Sequence, residues 1–339
     1  MGVVVTGASG HVGASLVRDL LARGTAVRVL LHGDTVAPSL EGLDVEVARG
    51  DVLDPASLAA AFRGADVVYH LAGMISVNGD ADGRVRAINV DGARNAATAA
   101  LEAGVRRYVH VSSVHAFDHD PYDAPLDESR ARPTPTHPAY DRSKAAGEDA
   151  LREVVARGLD AVIVNPTGVL GPIDPAPSHM GAILLGIAHR TFPALPDGGF
   201  DWVDVRDVSR SVIAAGERGR TGENYLLGGS WRSLPELARI TEGVLGVSTS
   251  RVAVPLPVLH LGASVSTFFC SLVGRRALYT RESLHALRSN RHVCADKAVR
   301  ELGHHTRPIE DTVRDSFTWF AAAGMLRCAA PGARVAGVS

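Results

Sequence analysis

The stretch Thr6-Gly7-Ala8-Ser9-Gly10-His11-Val12-Gly13 constrains the fold of this chain more than any other. Before it, Gly2-Val3-Val4-Val5-Thr6 is apolar and β-branched enough for a buried strand. After it, the apolar residues recur at helical spacing. A strand therefore runs into a helix through a glycine-rich turn. Gly7 permits the tight turn, Gly10 lets a pyrophosphate approach the backbone, and Gly13 allows the helix to pack closely on the strand. The first amides of the helix and the positive end of its dipole then face the phosphates. Gly7, Ser9, Gly10, His11, Val12 and Gly13 are the candidate contacts.

The rest of the first half repeats that unit. Strands are expected at 2–6, 26–31, 45–48, 67–70, 108–112 and 161–165, and helices at 11–23, 55–62, 82–103 and 138–156. Regular alternation of this kind gives a parallel sheet with helices on both faces. Pro138 suits the first turn of its helix. After Gly171 the prolines at 172, 175, 177, 193 and 196 mark irregular chain. Residues 202–210 and 224–227 read as a return to the sheet, and Trp231 onward as helices ending near Met325. Residues 1–170, rejoined by about 202–230, thus form one domain, 171–201 and 231–326 a second region, and 329–339 a flexible tail.

Composition removes several classes. A net charge of −2 with no basic run leaves no footprint for nucleic acid. The three cysteines, Cys270, Cys294 and Cys328, lack CxxC spacing and fit free thiols of a reducing compartment. No HExxH spacing suggests a metal site. A strand starting at Gly2 leaves no room for a signal segment, so a cytoplasmic protein is expected. The apolar stretch 252–274 carries Pro255, Pro257 and His260, which suits a buried or pocket-lining helix and not an integral membrane span.

Tyr140-Asp141-Arg142-Ser143-Lys144 carries the chemistry. The chain holds two lysines, Lys144 and Lys297, against 33 arginines, so a lysine kept here suggests that a guanidinium would not serve. Position i+4 puts Tyr140 and Lys144 on one helix face. A cation about 5 Å from a phenol, at an effective dielectric of about 20, contributes about 3 kcal/mol, roughly two pKa units. The spacing therefore predicts a tyrosine drawn toward neutrality that can donate or accept a proton. Ser113, at the carboxyl edge of the 108–112 strand, is placed to hydrogen-bond a substrate oxygen, with Ser112 as the competing hydroxyl. His115, two residues on, should border the substrate. Trp202 would pack against substrate or fill the domain junction.

The glycine spacing, Ser113 and Tyr140-x-x-x-Lys144 together resemble the extended short-chain dehydrogenase/reductase family, in the branch of dihydroflavonol reductases and 3β-hydroxysteroid dehydrogenases. The likeness runs from Gly2 to about Met325 and includes Gly50-Asp51-Val52, Tyr69-His70-Leu71-Ala72-Gly73, Asn89-Val90-Asp91-Gly92, Asn165-Pro166-Thr167-Gly168 and Trp202-Val203-Asp204. It implies an α/β fold, a Rossmann-type doubly wound parallel sheet with a smaller, mainly helical substrate-binding domain. It also implies catalysis by Ser113, Tyr140 and Lys144. Asp51, Val52, Leu71, Ala72, Gly73, Pro166, Thr167 and Gly168, with Tyr140 and Lys144, would then contact the nucleotide. Leu31 ends the second strand where NAD enzymes place a carboxylate, and His32 follows, which favours NADP over NAD; Asp34 could still reach a ribose.

A reductase of a hydrophobic carbonyl compound is the expected activity. Dehydratases of this group need an Asp-Glu pair after the serine, where this chain reads Val114-His115. A nucleotide-sugar epimerase using the same three residues and a non-catalytic nucleotide sensor stay open as alternatives. The resemblance further implies a homodimer that pairs the 82–103 and Tyr140 helices. Ala93, Ala96, Ala97, Ala99 and Ala100 on one, and Ala145, Ala146 and Gly147 on the other, would allow close approach.

Overall fold

Val3, Val4 and Val5 are buried in the middle of a sheet in the computed structural model, which describes residues 2–33, 37–77, 79–192, 194–249, 252–256, 258 and 281–326. Their strand, β1 (Gly2–Thr6), leads into α1 (His11–Ala22). β2 (Val27–Leu31), β3 (Glu46–Arg49), α2 (Pro55–Phe62), β4 (Ala65–His70), β5 (Arg107–Val111) and β6 (Ala161–Pro166) follow. The strand Asn224–Leu227 adds parallel to β6 and completes a seven-stranded sheet ordered Asn224–Leu227, β6, β5, β4, β1, β2, β3. Every pairing in it is parallel. The order reverses between β1 and β4, whose ends align at Thr6 and His70, so a crevice opens at their carboxyl ends.

Each face of the sheet has its own core. On one, Leu16, Val17 and Leu20 of α1 meet Val208, Val212 and Ile213. On the other, Leu58 and Phe62 of α2 meet Ala96, Ala100, Leu151 and Val154. A third core under the second region holds Trp202, Leu237, Val313 and Phe317.

Three expectations change. The 82–103 helix is interrupted: a π-helical turn, Ala87–Asp91, precedes the helix Gly92–Glu102. Asn89 in that turn accepts from Met74 N at 2.8 Å and donates to Ser143 Oγ at 2.9 Å, and these tertiary bonds override the regular ladder. Residues 202–210 do not rejoin the main sheet. Gly199–Asp204 pairs instead with Gly168–Leu170 and Ser230–Ser233 in a separate three-stranded sheet, and Val205–Arg218 is helical. The chain at Trp231 is accordingly strand before it becomes the helix Leu234–Leu245.

The alanines assigned to a dimer contact are occupied within the chain. Ala93, Ala96, Ala97, Ala99 and Ala100 are buried, as is Ala145, and Gly147 packs on the carbonyl of Asn89. Among the described residues no helix is long and apolar enough to cross a membrane. Most of the 252–274 stretch, and the 329–339 tail, lie outside the described residues.

Gly13 sets the distance between α1 and β1, because a Cβ there would drive into the Gly7 carbonyl oxygen. Gly13→Ala is therefore expected to destabilise the fold by about 1–3 kcal/mol in urea unfolding.

Candidate active site

The crevice continues into a cavity of about 350 Å³ whose two ends differ in chemistry. At one end lies the start of α1. Gly7 takes φ 66°, and a Cβ there would stand 2.6 Å from Ala72 N, so the turn is held tight against the end of β4. Gly10 N donates to Gly7 O at 3.1 Å. No side chain caps α1 and no acidic residue sits in its first turn, which leaves its amides open to an anion. This is the arrangement a dinucleotide pyrophosphate requires, so the residues fit a nicotinamide nucleotide. Gly7, Gly10, His11, Val12 and Gly13 line the cavity with Leu71, Gly73, Pro166, Thr167 and Gly168. His11 also donates from Nε2 to Pro172 O at 3.1 Å, which ties the turn to the second region.

Other expected contacts stand outside this cavity. Ser9 is exposed, and its carbonyl accepts from Ser39 Oγ at 2.9 Å. Ala72 donates its N–H to Thr6 Oγ1 at 3.2 Å. Val52 is buried beneath the helix that starts at Gly92. Asp51 Oδ1 accepts from Leu53 N at 2.9 Å, a loop cap, while Oδ2 lies 3.4 Å from His32 Nδ1. His32 is 79% exposed at its side chain. Asp34 lies outside the described residues.

At the other end Ser113, Tyr140 and Lys144 come together. Ser113 follows β5 with extended backbone, and its Oγ accepts from His115 N at 3.3 Å. Its own proton is then free to donate to the Tyr140 phenol oxygen, a bond that favours the phenolate. Burial outweighs it and, with the Asp141 carboxylate acting in the same direction, pushes the phenol up to about 12. The shift therefore runs opposite to the lowering expected from Lys144. Lys144 points instead to the end of β4, where a Cβ on Gly73 would lie 3.3 Å from Nζ. It is itself buried, which lowers it to about 8 against the raising effect of Glu148. Ser112 also borders the cavity, but its hydroxyl has no partner among the described residues.

Glu148 is the residue that sequence reasoning missed. It is fully buried on the helix Ala139–Val155, one turn beyond Lys144. Arg132 Nη2 lies 2.7 Å from Oε2, Asn165 Nδ2 donates to Oε1 at 2.7 Å, and Asn224 Nδ2 donates to Oε2 at 2.9 Å. Asn165 Nδ2 also donates to the Ser113 carbonyl at 2.9 Å. The signal was present in the spacing: Tyr140, Lys144 and Glu148 follow at i, i+4 and i+8 on one helix face.

His115 lines the cavity, its ring edge-on to Tyr140 at 5.5 Å and its Nδ1 3.0 Å from Asp141 Oδ1. Burial disfavours the charge on Asp141, yet His115, with His285 3.7 Å from the other oxygen, holds the carboxyl well below the usual range. Trp202 does not reach the cavity. It is 1% exposed in the third core, and its Nε1 donates to Arg232 O at 2.9 Å. Phe200 and Asp201, on the same strand, line the wall instead.

A parallel sheet with an uncapped helix start at its switch point, opening on a buried serine and lysine and a half-buried tyrosine, defines an α/β protein of Rossmann type. The chain belongs to the NAD dependent epimerase/dehydratase family, which it matches over residues 3–228. It is 35% identical over 333 residues to sterol demethylase protein B of Methylococcus capsulatus, covering 96% of this chain and 100% of that protein. It is 32% identical over 329 residues to a putative dihydroflavonol 4-reductase of Synechocystis, covering 95% of each. Among solved structures, that of gox2253 matches with a TM-score of 0.81 at 33% identity, covering 96% of this chain and 99% of that one. Family and relatives make the chain an NAD-dependent oxidoreductase of the epimerase/dehydratase type.

Because the folded state lowers Lys144 to about 8 from 10.5, its charge opposes folding. That cost is full below about 8 and is relieved as pH rises toward 10.5. Lys144→Met is expected to raise stability at neutral pH by about 1–3 kcal/mol, an advantage that shrinks in alkaline buffer. Thermal unfolding at two pH values checks it.

Proposed function

We propose that the chain reduces the carbonyl of an apolar small molecule to an alcohol, or catalyses the reverse, at Ser113, Tyr140 and Lys144. The observation that carries this reading is Tyr140, half-buried in the cavity wall and protonated, with Ser113 hydrogen-bonded to it at the carboxyl edge of the sheet. When bound, the nicotinamide supplies the two-electron transfer at the carbonyl carbon. Tyr140 supplies the proton: a phenol held at about 12 stays protonated at neutral pH, yet gives its proton readily to the far more basic oxygen of a forming alkoxide. Ser113 orients that oxygen. Lys144 would hold the nicotinamide ribose, and the open amides of α1 would hold the pyrophosphate. Val169, Met180, Phe200 and Val293 give the substrate side an apolar wall, and the reductase and sterol-protein names of the relatives agree with it. A homodimer built on the Gly92–Glu102 and Tyr140 helices would use their outer faces, where Arg94 pairs with Glu153; light scattering should then report twice the chain mass.

A panel of ketones and aldehydes, assayed by NADPH and NADH oxidation, tests the reaction. Tyr140→Phe should lower kcat by about 10²–10⁴-fold with little change in nucleotide affinity. Near-normal turnover by that variant would overturn the assignment.

The nucleotide follows from the end of β2. No carboxylate ends that strand, and His32 is the adjacent donor, so NADP(H) should bind at least as well as NAD(H). Asp51, 3.4 Å from His32, opposes a 2′-phosphate. Asp51→Asn should therefore raise the NADP(H)-to-NAD(H) affinity ratio about 5–10-fold, and His32→Ala should lower it. Fluorescence titration of both nucleotides measures the ratio.

A further inference from the structure

The loop after Ser113 carries a histidine that the proposed reaction does not use. His119 is 9% exposed and borders the cavity beside His115, with ring centroids 5.1 Å apart. One bond holds its ring: the backbone N–H of Asn290 donates to Nδ1 at 3.0 Å. A ring nitrogen that accepts carries no proton, so in the neutral imidazole the proton sits on Nε2. Burial keeps the ring neutral, pushing it down to about 3 with His115 acting in the same direction. The tautomer is therefore fixed, and Nε2–H is a donor. That donor is buried and has no partner among the described residues.

The ring is not free to turn and find one. Asn290 is fully buried, and its Nδ2 donates to the carbonyls of His119 at 3.2 Å, Pro121 at 3.2 Å and Ala124 at 2.9 Å. Its Oδ1 accepts from His292 N at 2.7 Å. The loop and the ring are clamped as one piece, and a buried donor left unsatisfied is costly. His119 lines the cavity, and a donor kept in that state there is matched by a ligand that brings the acceptor and displaces the atoms now covering Nε2.

We propose that His119 Nε2 selects substrates carrying a second, uncharged oxygen acceptor (ether, hydroxyl or carbonyl) a few bonds from the reacting carbonyl; this rests on the carbonyl-reductase reading above. The placement fits: His115 stands between, 5.5 Å from the Tyr140 ring on one side and 5.1 Å from His119 on the other. The Asp141 carboxylate beside His115 disfavours an anionic substituent. The apolar wall holds the carbon skeleton between the two oxygens.

The test uses a series of ketones with an ether oxygen two, three or four carbons from the carbonyl, each against the plain ketone with CH₂ in its place. Wild type should favour at least one ether member by about tenfold or more in kcat/KM. His119→Asn keeps an acceptor for the Asn290 amide but loses the outer donor. It should bring that ratio to about one while leaving the plain ketone within about threefold of wild type. His119→Gln, whose amide reaches the Nε2 position, should restore part of the ratio. A wild-type ratio near one for every member overturns the inference without any variant, as does a ratio unchanged in His119→Asn. Turnover without preference defeats this inference alone, whereas no turnover of any carbonyl defeats the reductase reading beneath it.

Discussion

The buried carboxylate of Glu148 is the constraint on which the site depends. A charge taken fully out of water is tolerable only when each of its oxygens is bonded, and here Arg132, Asn165 and Asn224 do this. Those partners sit on different parts of the chain: Asn165 in β6, Asn224 in the edge strand, Arg132 in the segment before the Tyr140 helix. One carboxylate therefore fixes how the helix lies across the sheet. Asn165 passes that constraint on by donating to the Ser113 carbonyl. Glu148 also raises Lys144 against the lowering effect of burial. The place of the serine and the charge of the lysine thus share one support.

Close backbone contacts complete the frame. Gly147 brings the Tyr140 helix onto the carbonyl of Asn89, while the side chain of Asn89 bonds Ser143 one helical turn from the tyrosine. Gly73 leaves room for the Lys144 ammonium beside Asn89 Oδ1. The helix is therefore braced on one side by a π turn and on the other by the Glu148 network. Between them Tyr140 is partly withdrawn from water, and that burial raises its phenol. The chemistry follows from the packing, because the same phenol in solvent would have neither the fixed position nor the raised pKa.

What the sequence disclosed was local, and what it hid was tertiary. The turn Thr6–Gly13 is written in glycines that no other backbone path requires, so strand, turn and helix were all legible. The alternation that gives the main sheet was legible for the same reason, and the strands of its first six fall within two residues of expectation. The π turn was not, because Ala87–Asp91 has ordinary helical residues and departs from the ladder only through the bonds of Asn89 to Met74 and Ser143. Trp202 stood open between a substrate contact and the domain junction because an exposed tryptophan and a core tryptophan read alike; its partner, the Arg232 carbonyl, comes from a strand in a second sheet. Glu148 went unnoticed because a buried helix carboxylate and a solvated one read alike in sequence. The direction of the tyrosine's shift was hidden, since spacing reports that a lysine shares its face but not how far burial raises the phenol.

The central claim is that Tyr140 is a half-buried phenol that keeps its proton and is not drawn toward neutrality by its lysine. Carbon-13 NMR of ring-labelled tyrosine, with Tyr140→Phe to assign the resonance, measures this directly. The Tyr140 signal should stay that of a neutral phenol from about pH 6 to about pH 10. A phenolate signal growing in below about pH 9 would contradict the account.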